Sequence, residues 1–339
     1  MSLSNEQYES LMRDYQERRQ SRNELIRERK AELYNRIPSL GRIDSEVADL
    51  AVITVRSRLF EEASDSTGET DVSKRLEALS AERARLIREA GYPTDYLDPP
   101  YVCNDCKDTG FIDGQPCHCY TQASLDLISK WDGYDPSKMQ LGFDAFSLSC
   151  YDEAEVDPVT GLGAKTTAEN ALKEAMSFVR DFKKDRGNLL IYGETGVGKT
   201  HLSNCIASCL RREGCSVLYM TAFRLFKALE ERKFGSGNTD KGISYATYDE
   251  LFSCDLLIID DLGTELSNSF TTSGLFELLN ERILTRRSTV ISTNLTLATI
   301  KETYAERMFS RIMEHYRMIR LYGADIRLKR KLGGTTHAA

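Results

Sequence analysis

The chain has 339 residues, 41% hydrophobic and 29% charged, which is enough for two domains, or one domain and an arm, around a buried core. Its net charge of −7 argues against a protein that coats nucleic acid uniformly, although a local basic stripe remains compatible with it. No apolar run approaches the roughly 18 residues of a membrane span, and the polar start MSLSNEQYESLMRDYQERR is unlike a secretory signal or transit peptide. With nine cysteines and no export signal, the sequence points to a reducing cytoplasm and no membrane.

Residues 5–91 read as almost entirely helical, and residues 1–95 as a helical arm. The first helix, to about Arg36, is dense in Arg and Glu. Ile43, Val47, Leu50 and Ile53 make an apolar stripe one helix later. Val72, Leu76, Leu79, Leu86 and Ala90 make the next, with Arg83 interrupting it and its charge expected in water. Asp71 is the expected cap of that helix, and Gly91 and Pro93 its stop. The arm is either a solvated bundle or coiled coil, or a partner-docking element.

DYLDPPY (95–101) is a hinge into residues 96–135, which hold four cysteines in YVCNDCKDTGFIDGQPCHCY: Cys103, Cys106, Cys117 and Cys119. Two ligand pairs ten residues apart can close a tetrahedral four-thiolate zinc site. Gly110 and Gly114 would let the hairpin between them turn, with Phe111 and Ile112 as a small apolar cap. His118 is an alternative ligand. No thioredoxin-like strand–helix setting supports a redox dithiol. Cys150, Cys205, Cys209, Cys215 and Cys254 read as small buried hydrophobes. Residues 121–165 read as irregular, and 136–165 as a linker.

From about Thr166 to residue 330, helical patterns alternate with β-rich runs: NLLIY (188–192), SVLYM (216–220), DLLIID (255–260), STVIST (288–293) and MIRLYG (318–323). The expectation is an α/β domain, a five-stranded parallel sheet flanked by helices. Directly after the first run stands GETGVGKT: Gly193, Glu194, Thr195, Gly196, Val197, Gly198, Lys199 and Thr200, followed by His201. Successive backbone N–H groups in such a loop cradle phosphates; Lys199 would reach the β- and γ-phosphates and Thr200 magnesium. The third run ends in Asp260, a second magnesium ligand. Asp261 is placed to polarise water, and Glu265 is a second candidate base. Asn294 stands at the tip of the fourth run, placed to orient water against the γ-phosphate. Arg307 and Arg311 share a helix face, and Arg311 is the choice for a residue that completes a neighbour's site; Arg307 would support it or pair with Glu302 or Glu306. In TAFRLFKALEERK, Arg224, Lys227 and Arg232 interleave with Phe223 and Phe226. With the Gly-rich KFGSGNTDKG after it, this suits single-stranded DNA; the competing reading is an ordinary amphipathic helix.

GETGVGKT, LLIIDDLGTE, STNLT, ERMFSRI and GADIR, in this order, resemble the AAA+ ATPases of the bacterial helicase-loader type (DnaC, DnaI and phage relatives) and the IstB-like transposition ATPases, over about residues 140–330. The cysteine segment resembles the zinc region of DnaI-type loaders. The resemblance implies a P-loop AAA+ core binding ATP and Mg²⁺ through Lys199, Thr200 and Asp260, preceded by a small Zn²⁺ module. It makes Asn294 the first sensor, Arg311 a finger acting in trans and Arg327 a second sensor. Asp261 stands where the family usually has Glu, one methylene longer. The small helical lid is expected to be absent or vestigial, with 331–339 a disordered tail. The implied function is an ATP-driven loader of a hexameric replicative DNA helicase that self-associates through its ATPase domain and contacts single-stranded DNA. A transposase-assisting ATPase and an ATP-gated adaptor with little turnover are the alternatives.

Overall fold

The computed structural model describes residues 3, 5–59, 66–130, 141–234, 245–265 and 269–328. The chain divides into two compact units, Met12–Thr109 and, together with Met1–Leu11, Gly110–Ala339.

The smaller unit is helical: α1 (Asn5–Arg36) from Met12 onward, α2 (Pro38–Leu59) and α3 (Ser66–Glu89). Pro38 ends α1 and opens α2, because proline lacks the N–H that a continuing helix needs but suits a first turn. Leu33, Leu40 and Ile87 are its buried centre, packed with Tyr34, Ile37, Leu86 and Tyr92. Two of the sequence expectations change here. Arg83 does not leave its charge to water: its Nε donates to Asp44 at 3.1 Å, bridging α3 to α2. The third helix begins at Ser66, so Asp71 lies inside it and not at its cap. The side chain of Ile53 lies outside the described residues.

In the larger unit, β1 (Phe111–Ile112) and β2 (Gln115–Pro116) form a two-stranded hairpin through Asp113 and Gly114, both at positive φ. Next come α4 (His118–Ser129), α5 (Ala164–Asp181), β3 (Asn188–Tyr192), α6 (Lys199–Arg212), β4 (Val217–Thr221), α7 (Ala222–Phe234) and α8 (Tyr245–Ser253). After them come β5 (Leu256–Leu262), α9 (Ser269–Leu284), β6 (Ser288–Thr293), α10 (Leu297–His315) and β7 (Tyr316–Arg320). Strands β3 to β7 make the expected five-stranded parallel sheet, in the order β4-β5-β6-β3-β7. Alternate residues of each strand feed opposite cores. Leu189, Ile191, Leu256 and Ile258 pack on the α5–α6 side, and Leu190, Leu257, Ile259 and Ile291 on the α7–α10 side. A sheet buried on both faces needs continuous apolar runs, which is why LLIY and LLII read so clearly.

Of residues 121–165, the described ones, 121–130 and 141–165, are more ordered than expected. Helix α4 runs to Ser129 and lies along β4, the outer strand of the sheet. The Gln122 side-chain amide stands in for a strand: its Nε2 donates to the Val217 carbonyl at 3.0 Å and its Oε1 accepts the Val217 N–H at 2.8 Å. Asp126 pairs with Arg211 at 3.0 Å, and the Tyr219 N–H donates to Ser129 Oγ at 3.4 Å. The stretch taken for a linker, 136–165, is described from residue 141, and that part is also fixed. Phe146 and Tyr151 are buried in the α5–α6 core, and buried Asp157 forms a bidentate pair with Arg320 of β7. That guanidinium, helped by bonds from Thr160 and Val159, holds the Asp157 carboxyl down at about 2.

No helix among the described residues is long and apolar enough to cross a membrane.

Candidate functional site

The loop after β3 is shaped by its glycines. A Cβ on Gly193 would sit 2.0 Å from the Leu321 carbonyl oxygen, and one on Gly196 would sit 2.1 Å from the Asp325 carboxylate carbon; both residues have positive φ. Backbone excludes any side chain at Gly193, and at Gly196 a side chain would have to displace the Asp325 carboxylate and hold a strained left-handed backbone. Val197 is buried in the core beneath the loop, and its carbonyl accepts the Tyr151 hydroxyl at 2.7 Å. Glu194 and Thr195 are exposed on the outside. Gly198 then opens α6 in a left-handed conformation, so the N-terminal end of that helix faces the loop.

Lys199 is buried, and its Nζ donates to the carbonyls of Gly193 at 2.9 Å and Glu194 at 2.7 Å. Burial lowers its pKa, opposed by the charges of Asp261 and Asp260. Thr200 Oγ1 donates to Asp260 Oδ1 at 3.3 Å. Asp260 is only 4% exposed; its Oδ2 accepts the Tyr219 hydroxyl at 2.8 Å, and its Oδ1 accepts Ser292 Oγ. Asp261 follows at a bulge in β5, at φ 56°, with its N–H donating to Ser292 Oγ at 3.0 Å. Loss of hydration, and then the charge of Asp260, raise its pKa.

A cleft of about 430 Å³ opens on this group. Gly196, Gly198, Lys199, Thr200 and His201 line one wall, and Asp261, Asn294 and Arg327 another. Glu265 is not among the lining residues. It accepts the Gly263 N–H at 2.9 Å and the Tyr304 hydroxyl, so it braces the turn after β5 and does not face the cleft. Arg311 does not line the cleft either: it is partly exposed on α10, 3.7 Å from Glu314. Helix α10 is broken at Ala305, and Glu306 pairs with Lys301, which takes up one of the two carboxylates proposed for Arg307.

Sequence reasoning missed the apolar side of the cleft: Leu141, Phe146, Cys150, Tyr151 and Ile326. His201 donates from Nε2 to the Ala145 carbonyl at 3.0 Å, and its ring lies 6.0 Å from Phe146, which stacks at 5.8 Å on Tyr151. The signal was available in FDAFSLSCY, which is too rich in aromatics for a solvated connection. This wall suits the flat face of a base, as the loop suits phosphates.

Two oxygens suit magnesium. Neighbouring ligands of an octahedral Mg²⁺ lie about 2.9 Å apart at its usual bond lengths, close to the 3.3 Å between Thr200 Oγ1 and Asp260 Oδ1. The cysteine segment offers a second ligand set. Its four sulfurs all lie within 4.8 Å of one another, and a tetrahedral zinc needs them about 3.8 Å apart. Cys103, Asp105 and His118 also converge within that distance. The knuckle is shaped by Asp108, which sequence reasoning passed over: buried, it accepts the N–H of Cys103 at 2.8 Å, while Thr109 Oγ1 donates to the Cys106 carbonyl at 2.7 Å. Phe111 packs on Tyr120 at 4.9 Å, but Ile112 is exposed and caps nothing. Cys205, Cys215 and Cys254 are buried as expected, with burial pushing Cys205 up to about 12, whereas Cys150 and Cys209 are half-buried.

On α7, Phe226 is buried in the core and Phe223 is 67% exposed. Arg224 donates to the Lys130 carbonyl, at the end of α4, at 2.8 Å. The aromatics thus divide between the two readings of this helix. The side chain of Arg232 and most of the loop after α7 lie outside the described residues.

A sequence model of the IstB-like ATP binding protein family matches residues 159–334, just over half of the chain. The chain belongs to this family. Among curated relatives of this IstB-like protein, the replicative helicase loader DnaC of Escherichia coli strain K12 is 26% identical over 143 residues, 42% of this chain and 57% of DnaC. An insertion-sequence ATP-binding protein of Sinorhizobium fredii, y4pL, is 34% identical over 146 residues, 41% of this chain and 56% of y4pL. The chain thus spans a little over half the length of the curated relatives it matches. Among solved structures, the DnaC helicase loader aligns at a TM-score of 0.41 and 20% identity, over 53% of this chain and 98% of that one. The IstB-like match begins beyond both the helical unit and the cysteine segment.

Proposed function

We propose that this IstB-like protein is a magnesium-dependent ATPase that loads a hexameric replicative DNA helicase. The observation that carries the nucleotide half is the Thr200–Asp260 pair beside a loop whose lysine rests on the loop's own carbonyls. Lys199 would leave those carbonyls for the β- and γ-phosphates, and the exposed loop N–H groups would hold the remaining oxygens. Thr200 and Asp260 would hold Mg²⁺, which supplies charge neutralisation on the phosphates when bound. Asp261 and Asn294 would orient the attacking water, and Arg327 would meet the phosphate charge from the far wall. Arg311, outside its own cleft, would serve a neighbouring copy. Exposed Phe223 and Lys227 would offer a stacking face and a charge to single-stranded DNA.

The loader reading is supported by the homology to DnaC, and by a helical unit and cysteine segment that the family match does not include. The second reading, an ATPase that assists a transposase, is supported by the family match itself and by y4pL. Affinity capture with the full-length chain and ATP separates them. Recovery of a replicative helicase is expected; recovery of a transposase without a helicase would overturn the loader reading.

The four cysteines are proposed to hold one structural zinc, because so short a segment has little core of its own. Purified full-length protein is expected to carry about one zinc per chain, measured by elemental analysis. Cys106→Ser should release the metal and lower the melting temperature. Zinc-free wild-type protein with unchanged melting would remove this assignment.

A further inference from the structure

Asp260 is held by the strands on both sides of it. From β4, the fully buried Tyr219 donates its hydroxyl to Oδ2 at 2.8 Å. From β6, Ser292 donates to Oδ1 while accepting the Asp261 N–H at 3.0 Å. We propose that Tyr219 is a positioning residue for the magnesium site, fixing which carboxylate oxygen of Asp260 is offered to the metal, with Ser292 as its counterpart across the sheet. This rests on the nucleotide reading above.

The two oxygens of Asp260 are not equivalent. Oδ1 accepts Ser292 and faces Thr200, the hydroxyl next to the phosphate loop. Oδ2 is occupied by the phenol. A carboxylate with one oxygen bound to a fixed donor cannot rotate freely about its last bond, so the other oxygen keeps its direction. The donor is itself fixed: β4 pairs with β5 from Val217 to Thr221, and the backbone N–H of Tyr219 reaches Ser129 on α4. A phenylalanine would fill the same space, so the hydroxyl is what the site gains from tyrosine here. Groups that orient a metal ligand without touching the metal typically change metal affinity by about 10- to 100-fold when removed.

The test uses full-length wild type, Tyr219→Phe and Ser292→Ala, with a fluorescent ADP analogue and titrated MgCl₂. For Tyr219→Phe, the magnesium concentration at half-saturation should rise by about tenfold or more. Affinity for the analogue in EDTA should stay within about twofold of wild type, since the phosphate loop is untouched. Ser292→Ala should shift magnesium in the same direction. Unchanged magnesium half-saturation in Tyr219→Phe overturns the proposal. So does an equal fall of affinity with and without magnesium, which would make Tyr219 a packing residue only. A wild-type protein whose nucleotide affinity ignores magnesium would instead overturn the nucleotide reading on which the proposal stands.

Discussion

Lys199→Ala is expected to lower ATP turnover by about 10²- to 10³-fold or more, because it removes the one cation set into the phosphate loop. The folded state should not suffer. The ammonium is buried, with its pKa lowered, on two loop carbonyls, so deleting it removes a desolvated charge. Melting of the variant should therefore match or exceed that of wild type, which separates loss of chemistry from loss of fold. Arg311→Ala should also lose turnover, by about 10³-fold if the side chain acts as a finger, while retaining nucleotide binding, since Arg311 does not line its own cleft. Mixing the two dead variants in equal amounts should restore about a quarter of wild-type activity. A productive interface takes its loop from one variant and its finger from the other. Steady-state phosphate release measures all three samples. Full activity of Arg311→Ala alone, or a mixture as inactive as its parts, would remove the trans assignment.

The second large effect is on stability. Arg282 is completely buried on α9. Its guanidinium donates to the carbonyls of Leu251 at 2.7 Å, Cys254 at 3.2 Å and Ser288 at 2.6 Å, and to Thr289 Oγ1 at 3.0 Å. The planar fork joins the end of α8, the entry to β5 and the start of β6, which lysine's single ammonium cannot do. Arg282→Ala would leave several buried carbonyls unpaired and a cavity behind, a loss of about 3–5 kcal/mol. For a unit of this size that corresponds to a melting temperature lower by roughly 10 °C. Arg282→Lys should recover only part of it. Thermal melts of the three proteins decide the matter, and an alanine variant within about 1 kcal/mol of wild type would show that the carbonyls find water instead.

The parts of this protein that were legible in the sequence are those set by local pattern. Continuous apolar runs gave the strands of the sheet, and glycine spacing gave the tight loop after β3 with Lys199 and Thr200 opening the helix behind it. What stayed hidden depends on partners distant in sequence. Glu265 looked like a base until Tyr304, 39 residues later, was found holding it. Arg83 looked solvated because Asp44 lies on another helix. Tyr219 and Ser292 sit in strands where they read as ordinary β-formers, and only the register across β4, β5 and β6 brings both to Asp260. Phe146 and Tyr151 lie in a stretch without periodicity: its aromatic content marked it as buried, but nothing in the local pattern said that it walls a cleft.

Helix α4 has a consequence for where the domain around the five-stranded sheet begins as a physical object. Sequence kinship starts at residue 159, yet the β4 edge is covered by Gln122 and Ser129, some 30 to 37 residues earlier. A fragment cut at the kinship boundary would present the open N–H and C=O row of β4 to solvent. Such a row is a template for strand addition by another molecule. The shortest fragment with both edges of its sheet in their native state must therefore include the helix that starts within the cysteine segment.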